Sequence, residues 1–176
     1  PQPIWAFLSP VNSFLLAVPI AFGASVVTVT VCHALIAALV GGLVVVVARR
    51  FMSLPAALAA GAGFAWSVRW LEVSYHVLTE PMAAFSILLI IATAPGVTRS
   101  KRAALLCAAA TVFGWLTRAN IPLLAGAVVV ACAWGRPLRD SVRDRRLWTY
   151  VAAVVVGMIG LRTAHILATG VRPYAN

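Results

Sequence analysis

Residues 25–50 read SVVTVTVCHALIAALVGGLVVVVARR, and their first 24 positions carry no Asp, Glu, Lys or Arg. A helix of that length rises about 36 Å, more than the roughly 30 Å hydrocarbon core of a bilayer. Apolar residues occupy every side of the cylinder, so no polar stripe is left to face water. The pair Arg49-Arg50 closes the run, as basic residues do at a membrane boundary. The stretch therefore reads as a membrane-spanning helix.

The same pattern continues outward. The chain has 176 residues, 62% hydrophobic and only 10% charged, with mean hydropathy +0.98. A soluble domain of this size needs many more charged side chains to cover its surface. Further apolar runs fall at 54–71, 81–96, 103–118, 120–135 and 147–167. An earlier run, 3–22, is interrupted by Pro10 and Asn12 and either spans or lies in the interface. The expectation is an all-α fold, a polytopic transmembrane helical bundle of about six to seven helices forming a single transmembrane domain over 1–176.

Three helix starts share one arrangement: Ser53-Leu54-Pro55, Thr79-Glu80-Pro81 and Asn120-Ile121-Pro122. Ser, Thr and Asn can cap free N–H groups, and proline tolerates the first turn. Small residues inside the runs, Ala56, Ala60, Gly61, Gly63, Gly157 and Gly160, suit close helix packing in lipid.

The net charge of +10 does not indicate nucleic acid. Its basic residues sit in short clusters between apolar runs and are not gathered beside readout residues on a soluble module. Counted over alternate loops, one side holds Arg49, Arg50, Arg99, Lys101, Arg102, Arg136, Arg139, Arg143, Arg145 and Arg146. The other holds Arg69, Arg118, Arg162 and Arg172, and together these are all 14. The asymmetry assigns the first set to the cytoplasm. Asp140 and Asp144, in the basic loop, are spaced to pair with neighbouring arginines, and that loop reads as an anchor on anionic lipid.

Cys32, Cys107 and Cys132 share no metal-ligand spacing and read as small packing residues, and lone His33 as a helix-bonded side chain. There is no HExxH, CxxC, P-loop, GxSxG or GxGxxG, and no metal site is expected. The remaining ionisable groups gather toward the outer face: Arg69, Glu72, His76, Glu80, Arg118, Arg162, His165 and Arg172. The densest polar stretch there is Arg69-Trp70-Leu71-Glu72-Val73-Ser74-Tyr75-His76-Val77-Leu78-Thr79-Glu80, either a cavity rim or an ordinary interfacial loop. Glu80 is explained by its place at a helix N-terminus, where negative charge is favoured. Arg118 is either a snorkelling anchor or a guanidinium fork for a phosphate.

The order of these features resembles the GT-C superfamily of membrane glycosyltransferases. This is the polyprenyl-phosphate-sugar type that includes protein mannosyltransferases and aminoarabinose transferases. The resemblance rests on a proline-led run from Pro3 to Gly23, then Val47-Ala48-Arg49-Arg50-Phe51-Met52-Ser53. The outer element Leu78-Thr79-Glu80-Pro81 and the closing Gly114-Trp115-Leu116-Thr117-Arg118 complete it, within residues 3 to 135.

The resemblance implies sugar transfer, on the extracytoplasmic face of a bacterial plasma membrane, from a polyprenyl-phosphate-linked donor. The acceptor would be a glycan, lipid or protein. It implies no other cofactor, and puts Glu80 and Arg118 near the site with Arg69, Glu72 and His76 beside them. The family's catalytic aspartate belongs to a first outer loop, upstream of Pro1, and Glu72 and Glu80 are the outer carboxylates here. With no initiator Met and no signal peptide, the chain reads as a fragment of a longer membrane enzyme, inactive alone. A transporter or channel subunit, or a non-catalytic assembly subunit, remains the alternative.

Overall fold

Hydroxyl side chains and prolines set where the helices begin. In the computed structural model the described residues are 21–23, 25–67, 70, 80–134, 140 and 143–169. Among them the elements are six α-helices and one 3-10 turn, with no strand. Helix α1 (Val26–Ala48) starts at Ser25, whose Oγ accepts from the Thr28 N–H at 3.3 Å. Helix α2 (Leu54–Ala65) follows Ser53 with Pro55 in its first turn. Helix α3 (Glu80–Thr93) runs into a 3-10 turn at Ala94–Gly96. Helix α4 (Lys101–Thr117) is capped by Ser100, whose Oγ accepts from the Ala103 N–H at 3.1 Å. Helices α5 (Ile121–Ala133) and α6 (Arg145–Thr169) complete the order.

The all-α expectation holds, and the proline-marked starts at 53–55 and 120–122 fall where helices begin. Their side chains do not act as read, however: neither Ser53 nor Asn120 makes a side-chain cap bond. Proline itself removes one of the free N–H groups that a cap would satisfy. Ser25 and Ser100, which lack a following proline, cap instead. Thr79 lies outside the described residues.

Two helices are long and apolar enough to cross a membrane, over Thr30–Ala48 and Arg145–Ala164. The apolar helices between them are shorter. The run expected over 54–71 ends as a helix at Ala65, because the chain turns at Trp66 and the Ser67 hydroxyl takes the Trp70 N–H at 3.3 Å. Such local side-chain bonds compete with helix continuation. The 120–135 run is helical over 13 residues. The 3–22 run lies outside the described residues except at its last two positions.

The hairpin of α3 and α4 forms the centre. Helices α1 and α5 pack on α3, α5 and α6 pack on α4, and α2 packs on α1. The core comprises Ala83, Ile90, Val97, Ala104, Cys107, Ala108, Ile121, Ala125, Val129 and Tyr150 among others. Of the three cysteines only Cys107 is packed in it; Cys32 and Cys132 are exposed.

Small residues open the crossings at some of the expected places. A Cβ on Gly61 would overlap Val45 and lie 3.2 Å from the Gly41 carbonyl, fixing α1 against α2. One on Gly157 would lie 2.9 Å from Val112 Cγ2, where α4 meets α6, whereas Gly63 and Gly160 face open space. Outward-facing apolar side chains are abundant, including Val27, Val31, Leu35 and Leu39 on α1 and Val155, Val156 and Ile159 on α6. Contiguous apolar surface of that kind is foreign to a soluble monomer.

Most of the described basic residues collect at one end of the bundle. The Arg50 guanidinium donates to the Ile91 carbonyl at 3.2 Å and to the Ala92 carbonyl, tying the end of α1 to the end of α3. Arg146 donates to the Thr98 carbonyl at 2.8 Å, bringing the start of α6 to the same end. Asp144 Oδ1 accepts from the Arg146 backbone N–H at 2.9 Å. It serves as a helix start, where a short acceptor satisfies a free donor. Asp140 is exposed.

Candidate functional site

At the end opposite the basic cluster, three helices converge on one turn. Gly114 makes this possible: a Cβ there would lie 2.5 Å from Ile121 Cγ2 and 3.1 Å from Ser86 Cβ. The close approach of α3, α4 and α5 leaves residues 118–120 as a tight connection. The backbone of Arg118 is held from both sides. Its N–H donates to the Gly114 carbonyl at 2.8 Å, and its carbonyl accepts from Ile121 N–H at 3.2 Å. Its φ of −148° and ψ of 127° are extended, which turns the side chain away from the helix axis. The Thr117 hydroxyl also donates to the Gly114 carbonyl, at 2.6 Å.

Glu80 opens α3, with Pro81 buried immediately behind it. Its carboxylate sits at the positive end of the helix dipole. Arg118 Nη2 donates to Glu80 Oε1 at 2.8 Å across 38 positions of sequence. The two side chains are 49% and 41% exposed. A pair this open contributes on the order of 0.2–1 kcal/mol. Glu80 Oε2, by contrast, is buried and has no hydrogen-bond partner among the described residues.

These two residues line a cavity of about 480 Å³ together with Phe64, Ser67, Trp70, Ala83, Ala84, Ile87 and Asn120. Phe64 and Trp70 form its aromatic wall, their ring centroids 4.6 Å apart and tilted by 44°. A mostly apolar hollow with a few converging polar groups is the usual form of a small-molecule site. A second concavity, between α4 and α6, is lined by apolar residues such as Leu105, Val112, Leu116 and Leu161 and offers no polar group for chemistry.

Of the five residues picked from the sequence, Glu80 and Arg118 are brought together. Arg69, Glu72 and His76 lie outside the described residues. Neither local reading of Glu80 and Arg118, as helix-start charge or lipid anchor, anticipates that they bond to each other. Phe64, Ser67 and Asn120 were missed as site residues, and Trp70 had been read only as part of the polar stretch. Asn120 had a weak signal in its closeness to Arg118; Phe64 had none, since it reaches the site from another helix. Arg162 is exposed on α6 and is not among the cavity residues. The side chains of His33 and His165, and all of Arg172, lie outside the described residues. Among the described residues no group of three His, Cys, Asp or Glu is placed to hold a metal.

Comparison with known protein families, with characterised proteins and with solved structures finds no match for this chain.

Proposed function

We propose that the chain is a multi-pass integral membrane protein of six to seven membrane helices, and that its Arg118 end binds the phosphate of a polyprenyl-phosphate-linked sugar. In this reading it is part of a GT-C-type glycosyltransferase acting on the extracytoplasmic side, with a glycan, lipid or protein as acceptor. One observation carries the proposal. A backbone-fixed arginine stands in an aromatic-walled cavity, at the end of the bundle remote from the basic cluster. The planar guanidinium fork matches phosphate oxygens, and Arg118 commits one nitrogen to Glu80 among the described residues. Aromatic faces beside it suit a sugar ring. The basic residues at the other end fit a cytoplasmic surface, which supports an extracytoplasmic cavity.

Glu80 is a partner of Arg118 in this scheme. A transport pathway is less well supported. The buried hydroxyls of Ser86, Thr111 and Thr117 each donate to a carbonyl within their own helix, so they do not line an open polar path.

The test uses the full-length protein in nanodiscs and radiolabelled undecaprenyl phosphate as probe. Wild type should bind saturably and the R118A variant should lose binding by tenfold or more. In membranes carrying the full-length enzyme, R118A should likewise abolish incorporation from polyprenyl-phosphate-linked sugars. Equal binding by R118A and wild type would remove the cavity from donor recognition.

A further inference from the structure

We infer that Glu80 is a resident counter-anion of the Arg118 site: it occupies the guanidinium when the cavity is empty, and an incoming phosphate headgroup displaces it. This rests on the donor-site reading above and adds how the site is regulated.

Three features of the pair support exchange over permanence. The contact is single, from Nη2 to Oε1 at 2.8 Å, not the two-pronged arrangement that makes arginine–carboxylate pairs tight. Both side chains are close to half exposed, so solvent screens their attraction. Among the described residues, pairing also leaves Oε2 buried without a donor, although the rest of the side chain reaches the cavity. A carboxylate oxygen withdrawn from water and left unbonded disfavours the state that contains it. When Glu80 lets go of Arg118, Oε2 can return to water and the guanidinium becomes free.

The two partners respond differently to that release. Arg118 is held by backbone hydrogen bonds on both sides of its Cα, so the base of its side chain stays in place. Glu80 stands at the first position of α3. Its side chain can swing about its own torsions while the helix stays still. A phosphodiester carries one negative charge, as the carboxylate does, but can use the guanidinium edge that Glu80 leaves unused. The cavity thus sets a cation on a hydrogen-bonded turn against an anion at a helix start. Among the described residues the two charges of the empty site cancel, which disfavours free anions until one with additional apolar contacts arrives.

The experiment measures affinity for undecaprenyl phosphate in phosphatidylcholine nanodiscs, with full-length protein as wild type, E80Q, E80D, R118A and the E80Q/R118A double variant. E80D retains the negative charge at the start of α3 but shortens its reach toward Arg118. Removing the competitor should tighten binding roughly two- to fivefold in E80Q, and in the same direction in E80D, as expected from the strength of an exposed ion pair. The double variant should bind as poorly as R118A. Inorganic phosphate, run as competitor, separates a lipid headgroup from phosphate alone: displacement only at millimolar levels assigns the site to the lipid. If R118A abolishes binding but E80Q and E80D bind no tighter than wild type, Glu80 positions Arg118, and the exchange fails while the donor site stands. If R118A binds like wild type, the donor site itself fails, and the exchange with it.

Discussion

The hydroxyl of Tyr150 on α6 lies 3.2 Å from Thr111 Oγ1 on α4, and both side chains are buried. Thr111 also donates to the Cys107 carbonyl at 2.8 Å, so its own hydrogen is committed within α4 and Tyr150 supplies the hydrogen that bridges the helices. The arrangement attaches α6 to the central hairpin by a polar contact inside an otherwise apolar interface. In lipid, where apolar side chains gain little by leaving their surroundings, such contacts and close packing hold helices together.

Replacing Tyr150 with Phe removes the bridging hydrogen and keeps the ring. Measured interhelical hydrogen bonds in membrane proteins average about 0.6 kcal/mol, so a loss of roughly 0.5–1 kcal/mol is expected. Denaturation in mixed micelles reads this directly. A Y150F protein as stable as wild type would show that the contact contributes no net stability.

Gly61 and Gly63 offer a paired test of the α1–α2 crossing. A methyl at Gly61 overlaps Val45, whereas one at Gly63 meets nothing within 4 Å. G61A should cost about 1–3 kcal/mol through forced separation of the helices. G63A should leave stability unchanged or slightly raised, since alanine favours helix over glycine. Equal effects of the two substitutions would contradict the crossing.

Sidedness is testable through single cysteines in a background where Cys32, Cys107 and Cys132 are replaced by alanine. Arg99 and Ala119 are both exposed, and they stand at opposite ends of α4. A membrane-impermeant maleimide should modify A119C in intact cells and R99C only after lysis. Labelling of both from one side would undo the outward placement of the cavity and the alternating path of the chain.

Helix type and most helix starts were legible because they depend on short-range rules. The uncharged run over 25–48 and the prolines at 55, 81 and 122 act within a turn or two of themselves. Helix ends were harder to read. The stop at Ala65 depends on the Ser67 hydroxyl capturing the Trp70 N–H, which hydropathy does not register because Trp66, Trp70 and Leu71 continue the apolar run. The site was half legible. Glu80 and Arg118 stood out as charges among apolar neighbours, yet each already had a sufficient local explanation. Their bond spans 38 positions and depends on α3 packing against α4, a tertiary relationship with no local trace. Phe64 and Asn120 enter the cavity for the same reason.

The four helices that lie between α1 and α6 in sequence are short. Helices α2, α3, α4 and α5 contain 12, 14, 17 and 13 residues, or roughly 18 to 26 Å of axial length. Helices α1 and α6, with 23 and 25 residues, reach about 35 to 38 Å. Under the proposed membrane reading, a hydrocarbon layer about 30 Å thick is matched by α1 and α6 but exceeds the central hairpin of α3 and α4 and the neighbouring α5. A mismatch of that kind is met by local thinning of the bilayer. Phe64, Glu80 and Arg118 line the cavity at one end of these shorter helices. If the cavity takes a lipid phosphate as proposed, acyl-chain length in the surrounding membrane would set how readily that phosphate reaches the arginine.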